Sequence, residues 1–205
     1  TLQNPTATFN NPGVYNVRHI VSDGVTVDTA VLQIRVFLPP SNNFSAPDNH
    51  GCIQPCHMVH FTNLTIPGES PVEQYVWDFG DGTLPQQGYN IDHCYLNTGS
   101  FNVTLISLDS NGCQTSKIIP NYVIIGNAPT VNVTAAPTQT CISPTTVNFT
   151  ANASSNNGAV TYAWYFGDAT TSAQQNPSHV YFNGIYDAVL VVTDPIGCQV
   201  YDTSH

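Results

Sequence analysis

Two clusters in this sequence have residue types and spacing that chemistry could use. Cys52-x3-Cys56-His57-x2-His60 looks like a zinc ligand set, since thiolates and imidazoles at short spacing can close a tetrahedral shell. Asp78 and Asp81 are two carboxylates three residues apart, as an acid/base pair or a calcium site would need. Each cluster also has a plainer reading. Strand alternation sends Val59 and Phe61 inward and His60 outward. Cys52 recurs as Cys141, inside Cys-Ile-x-Pro at both places, and Cys141 has no histidine nearby. A feature kept where the other ligands are missing does not belong to a zinc cluster, so disulfide bonding is the better account. Asp78 and Asp81 flank a turn, where carboxylates accept backbone N–H groups. Calcium held by Asp81 and neighbouring carbonyls is the weaker alternative. No Gly-x-Ser-x-Gly elbow and no glycine-rich phosphate loop occurs. The seven histidines pair with no recognisable nucleophile and orienting acid. The sequence therefore assigns no catalytic or cofactor-binding residue, and no enzyme activity is expected of it.

Composition narrows the function further. The 205 residues carry 3 basic and 13 acidic side chains, a net charge of −10 with histidine neutral. So few cations cannot neutralise a phosphate backbone or hold an anionic membrane surface, which excludes nucleic acid. The longest apolar runs, such as Ala188 to Val192, are far too short to span a bilayer. Charged residues are 8% of the chain against roughly a quarter in ordinary soluble domains. Its polarity comes instead from 21 Asn, 23 Thr and 14 Ser. Six cysteines, an even number, beside almost no lysine point to an oxidising, extracellular setting. Six Asn-x-Ser/Thr sequons, at Asn43, Asn63, Asn102, Asn132, Asn148 and Asn152, are close to the roughly four expected by chance.

The elements that must position these residues are strands, and they repeat. Tyr75 to Thr83 recurs as Tyr162 to Thr170, His93-Cys94-Tyr95 as His179-Val180-Tyr181, and Gly112-Cys113 as Gly197-Cys198. Phe9, Gly13, Tyr15, Val17 and Asp23 lie 86 residues before Tyr95, Gly99, Phe101, Val103 and Asp109. Within each unit the apolar period is two, as in Phe101, Val103 and Leu105, the mark of half-buried strands. The same alternation puts His19 on an inward position, as a satisfied core histidine. Short strands between Gly, Asn and Pro turns indicate an all-β sandwich. Leu38 to Asn43 and Gly126 to Pro129 read as the junctions. The repeat frame is cut at both ends, and the chain opens at Thr1 without a leader, so it is expected to be a window onto a longer array. The front segment, alone, is expected to lack a sheet of its own.

The repeated motif resembles PKD domains, the immunoglobulin-like modules named for polycystic kidney disease protein. Trp77, Asp78, Phe79, Gly80, Asp81, Gly82, His93, Tyr95, Gly99, Phe101, Val103 and Leu105 carry it in the second unit. Trp164, Phe166, Gly167, Asp168, His179 and Tyr181 carry it in the third, which departs at Tyr165 and Ala169. The resemblance implies tandem immunoglobulin-like β-sandwiches in a head-to-tail rod. Residues 1–38 would be the C-terminal part of a PKD module, 44–127 a complete one, and 128–205 one lacking its last strand. It implies that His93 and His179 are structural, hydrogen-bonding turn backbone. Ala169 in place of Gly82 implies a different turn, because positive φ strains a side chain. The Gly-Cys after the sixth strand resembles modules of large surface proteins from Bacteroidota-type bacteria.

The same topology bears on the cysteines. Cys56 and Cys94 fall at one end of the sandwich and are expected to pair. Cys52 and Cys141 lie at the end where each unit's chain exits, and Cys113 and Cys198 at the opposite end. A seven-residue strand separates those ends by roughly 20 Å, beyond the ~4–7 Å that a disulfide allows between Cα atoms. Cys52 would then meet Cys198 across the junction, with Cys113 and Cys141 needing partners outside the window. The rival is pairing within each unit, Cys52 with Cys113 and Cys141 with Cys198. The resemblance implies an extracellular structural repeat of a stalk, adhesin or filament, whose partners are neighbouring modules or copies of itself. The alternative is an accessory spacer or substrate-binding region of a secreted protease or chitinase. Exposed aromatics at Tyr89, Tyr122 or Tyr165 would favour a polysaccharide or protein surface as partner.

Overall fold

A computed structural model describes residues 4–204 of the chain. Every element among them is a strand, so no helix is present to cross a membrane. The first two are β1 (Gly13–Ser22) and β2 (Val27–Val36). They pair antiparallel along their full length, from Gly13 opposite Val36 to Ser22 opposite Val27. The front segment therefore does hold a sheet, contrary to the sequence expectation, but a two-stranded one, within residues 13–36. Its turn is set by Asp23, whose Oδ1 accepts the N–H groups of Val25 and Thr26. No second layer covers this hairpin among the described residues. Val14, Ile20, Val31 and Leu32 are consequently exposed, and so is His19, which is not a core histidine.

The second unit contains β3 (Phe44–Ser45), β4 (His50–Cys52), β5 (His57–Asn63), β6 (Val72–Asp78), β7 (Gln86–Gln87), β8 (Ile91–Tyr95), β9 (Gly99–Asp109) and β10 (Gln114–Gly126). They form two layers, ordered β3-β5-β8 and β4-β10-β9-β6-β7. Alternate residues from both layers meet between them: Val59 and Phe61 from one, Trp77, Val103, Leu105 and Val123 from the other, all essentially without solvent access. Truncating an aromatic packed this tightly costs about 3–5 kcal/mol. The Trp77 indole N–H is satisfied by the Gly88 carbonyl at 3.0 Å.

The third unit repeats the plan with β11 (Thr130–Ala136), β12 (Thr145–Ser154), β13 (Thr161–Tyr165), β14 (Thr171–Ser172), β15 (Ser178–Tyr181), β16 (Ala188–Thr193) and β17 (Gln199–Ser204). Its layers are β11-β12-β15 and β14-β13-β16-β17, closed on Phe149, Trp164, Phe166, Leu190 and Val192. The sequence reading has this unit lacking its last strand. Instead β17 pairs with β16, Ala188 opposite Ser204, as β10 pairs with β9, Val103 opposite Ile119. The first half of that strand is therefore present, because the residues after Cys198 alternate well enough to extend the ladder.

The segment before β3 is bound to the sandwich it precedes. Asn42 Nδ2 donates to the carbonyls of Leu105 and Thr115, and Asn42 Oδ1 accepts from Ser107 Oγ at 2.6 Å. Such a docked junction has little freedom to hinge.

Candidate functional site

The repeated motif builds a clamp between the two layers of each sandwich. Asp81 lies in the turn after β6, and His93 lies on β8 in the facing layer. His93 Nε2 donates to Asp81 Oδ2 at 2.7 Å, with both side chains almost fully buried. Asp81 Oδ1 accepts from Thr83 N–H and Oγ1. The imidazole stacks on Phe79 at 3.9 Å, and Tyr95 donates its hydroxyl to the Phe79 carbonyl. The third unit repeats this with Asp168, His179, Phe166 and Tyr181. The histidines thus grip a turn carboxylate rather than turn backbone, because the aspartate already caps the turn and leaves one oxygen facing the imidazole. Burial pushes the Asp81 carboxyl up, but hydrogen bonds from Thr83 and His93 hold it below its ordinary value. Thr170 and then His179 lower the Asp168 carboxyl to about 2. Burial and the nearby Asp168 carboxylate raise the Tyr181 hydroxyl to about 12.

The turn itself needs backbone that side chains resist. A Cβ on Gly80 would lie 2.3 Å from the Asn102 carbonyl oxygen, at a φ of +72°. Gly82 has a φ of 86° and Ala169 a φ of 69°, so the third unit keeps the same turn instead of changing it. The cost of alanine there, on the order of 1 kcal/mol, is met by the intact clamp around it.

The other candidate residues take separate partners. His57 Nε2 bonds the Asp48 carbonyl at 2.8 Å, and His60 pairs with the Asp48 carboxylate. Cys56 is bonded to Cys94, where β5 and β8 run side by side, with a Cα separation of 5.7 Å. The zinc-like spacing is thereby dispersed over three different interactions. Asp78 accepts the Gly80 N–H, and both Asp81 oxygens are engaged as described. Tyr122 packs on Phe44 and takes part in the core, accepting the Ala46 N–H. Tyr89 and Tyr165 are exposed on different sandwiches.

A second site lies where the sandwiches meet. Cys52, at the end of β4, is bonded to Cys198 with Cα atoms 5.4 Å apart and a separation of 146 positions in sequence. This bond excludes pairing of Cys52 with Cys113 and of Cys198 with Cys141. β4 reaches this point by adding in parallel to the end of β10, Gly51 opposite Ile125 and Cys52 opposite Gly126. From the other side comes the hairpin between β16 and β17. Asp194 Oδ1 accepts the N–H groups of Ile196 and Cys198, and Asp194 Oδ2 accepts from Ser155 and Asn157. Asn157 also donates to the Asn127 carbonyl. The hairpin packs closely on Gly126, where a Cβ would come within 2.4 Å of the Asn157 and Ile196 side chains and would displace them. Sequence reasoning missed Asp109, Asp194 and Asn157 as site residues, although the recurrence of Asp23 as Asp109 marks the hairpin position. Cys113 is half-buried and Cys141 exposed, both as free thiols.

The comparisons with known proteins match this architecture. A family model described as PKD domain matches the chain twice in tandem, over residues 46–124 and 126–205. Among solved structures, the PKD1 domain of Epp from Vibrio anguillarum is 20% identical, over 44% of this chain and 99% of that one, with a TM-score of 0.38. The fibronectin(III)-like modules of CbhA from Clostridium thermocellum are 15% identical, over 78% of this chain and 91% of that one, with a TM-score of 0.51. At 15% identity the likeness to the CbhA modules is one of fold.

Proposed function

Because the chain belongs to the PKD domain family and carries two such modules in tandem, we propose that it is a non-catalytic, extracellular load-bearing segment of a stalk, adhesin or filament. The observation that carries this reading is the Cys52–Cys198 bond between modules. A disulfide inside a module would stabilise that module alone. One across the junction fixes the angle between two modules, which serves a protein whose product is shape. The docked segment before β3 and the packing of Gly126 against Asn157 act in the same sense. Disulfides persist outside the reducing cytosol, which supports an extracellular site.

Small-angle X-ray scattering tests this. The oxidised chain should give one narrow distribution of long interatomic distances, and Cys198→Ser should broaden it. Identical curves for the two would overturn the load-bearing reading. Saturable binding of the chain to insoluble chitin or collagen would instead favour an accessory region of a secreted hydrolase.

A further inference from the structure

The two thiols left free occupy the same repeat positions as the two that are bonded. Cys113 follows the β9–β10 hairpin as Cys198 follows the β16–β17 hairpin, and Cys141 stands in Cys-Ile-x-Pro as Cys52 does. The hairpins agree in detail. Asp109 Oδ1 accepts the N–H groups of Asn111 and Cys113, as Asp194 Oδ1 accepts those of Ile196 and Cys198. Asp109 is 2% exposed, and its Oδ2 has no hydrogen-bond partner among the described residues, whereas Asp194 Oδ2 has two. Each free cysteine also has a matching strand position that is left unfilled. Gly13 faces Val36 as Gly99 faces Ile125, so Arg35 to Phe37 is the edge on which a counterpart of β4 would lie. At the other end, residues 139–141 form no strand, and a cavity of about 650 Å³ opens between them, Phe149, Tyr181 and Tyr186. In the second module Val123 and Ile125 fill the corresponding part of the core.

We propose that Cys113 and Cys141 are open halves of the inter-module disulfide that Cys52 and Cys198 close here, and that both bond flanking PKD modules. The partner of Cys113 sits on a strand added in parallel along Arg35 to Phe37. The partner of Cys141 sits on the hairpin of a following module, as the chain beyond β17 fills the cavity and pairs with residues 139–141. Each bond forms when two thiols give up two protons and two electrons. A disulfide oxidant takes both through a mixed disulfide, its own S–S bond ending as two thiols.

The consequence is mechanical. Force entering the second module at Cys113 would leave the third at Cys141, only 28 residues further on. Staples then form two interleaved covalent tracks, and the folded stretches from Cys52 to Cys113 and from Cys141 to Cys198 carry no tension.

This inference rests on the load-bearing reading and deepens it. Its test is the natural full-length protein, purified with thiols blocked, digested without reductant and mapped by mass spectrometry. The expected result is Cys113 linked to a cysteine peptide from the preceding module and Cys141 linked to a Gly-Cys hairpin peptide from the following one. Either residue recovered as the blocked thiol, or linked anywhere else, overturns the proposal. That outcome leaves the scattering comparison of the Cys52–Cys198 staple untouched, so the two readings fail separately.

Discussion

His93 and Asp81 form a buried pair that reaches across the sandwich, and removing one partner leaves the other without compensation. His93→Ala should therefore destabilise the second module by about 3 kcal/mol or more, read from denaturant unfolding; a loss below 1 kcal/mol would show that neither the pair with Asp81 nor the stack on Phe79 holds the module together. The Asp168 carboxyl behaves as a depressed acid, its folded value about 2 against an ordinary value of 3.8. Its contribution is therefore complete above the ordinary value and is lost as pH falls from about 4 toward about 2. The Trp164 indole resonance should report third-module unfolding in that window, and Asp168→Asn should flatten the acid limb. Spacing alone located Asp81, His93 and their counterparts. It did not identify which atom the imidazole meets, because a repeat fixes position along the strand and not the free oxygen of a capped turn. Ala169 was misread for a related reason. A local preference against positive φ is outweighed when Phe166, Asp168, His179 and Tyr181 already hold the turn.

Strands were legible wherever two layers exist to bury them. Val59, Phe61, Val103, Leu105, Leu190 and Val192 all alternate in sequence and all lie in the cores. The same alternation in β1 put His19 and Val17 inward, yet both are open to solvent. Period two says which residues share a face and is silent on whether a second sheet covers it. A two-stranded hairpin without that cover is marginal in water. Hydrogen exchange of the 205-residue chain should therefore release the amides of β1 and β2 well before those of β9 and β10. Equal protection would mean that β1 and β2 are covered in solution. The docked Asn42 was not legible either, since its partners Leu105 and Thr115 are distant in sequence and contact it through main-chain carbonyls.

For the molecule as a whole, the decisive quantity is the chain length that a pull can release. Cys52 and Cys198 are separated by 146 positions in sequence, and the Cys56–Cys94 loop, a separation of 38, lies inside that span. A chain pulled from its two ends transmits force through the outer bond, so unfolding either sandwich adds no length between those cysteines. Opening only the outer bond exposes 146 less 38, or 108 residues. At about 3.5 Å per extended residue this is roughly 380 Å. Reducing both bonds exposes the full span, roughly 500 Å. Single-molecule stretching should thus rank the oxidised chain, the Cys198→Ser variant and the fully reduced chain in increasing contour length, with steps near those values. If the oxidised chain already extends like the variant, the outer bond does not lie on the force path. The sandwiches would then carry load by their folding stability alone, and a series of such modules would stretch one unfolding event at a time.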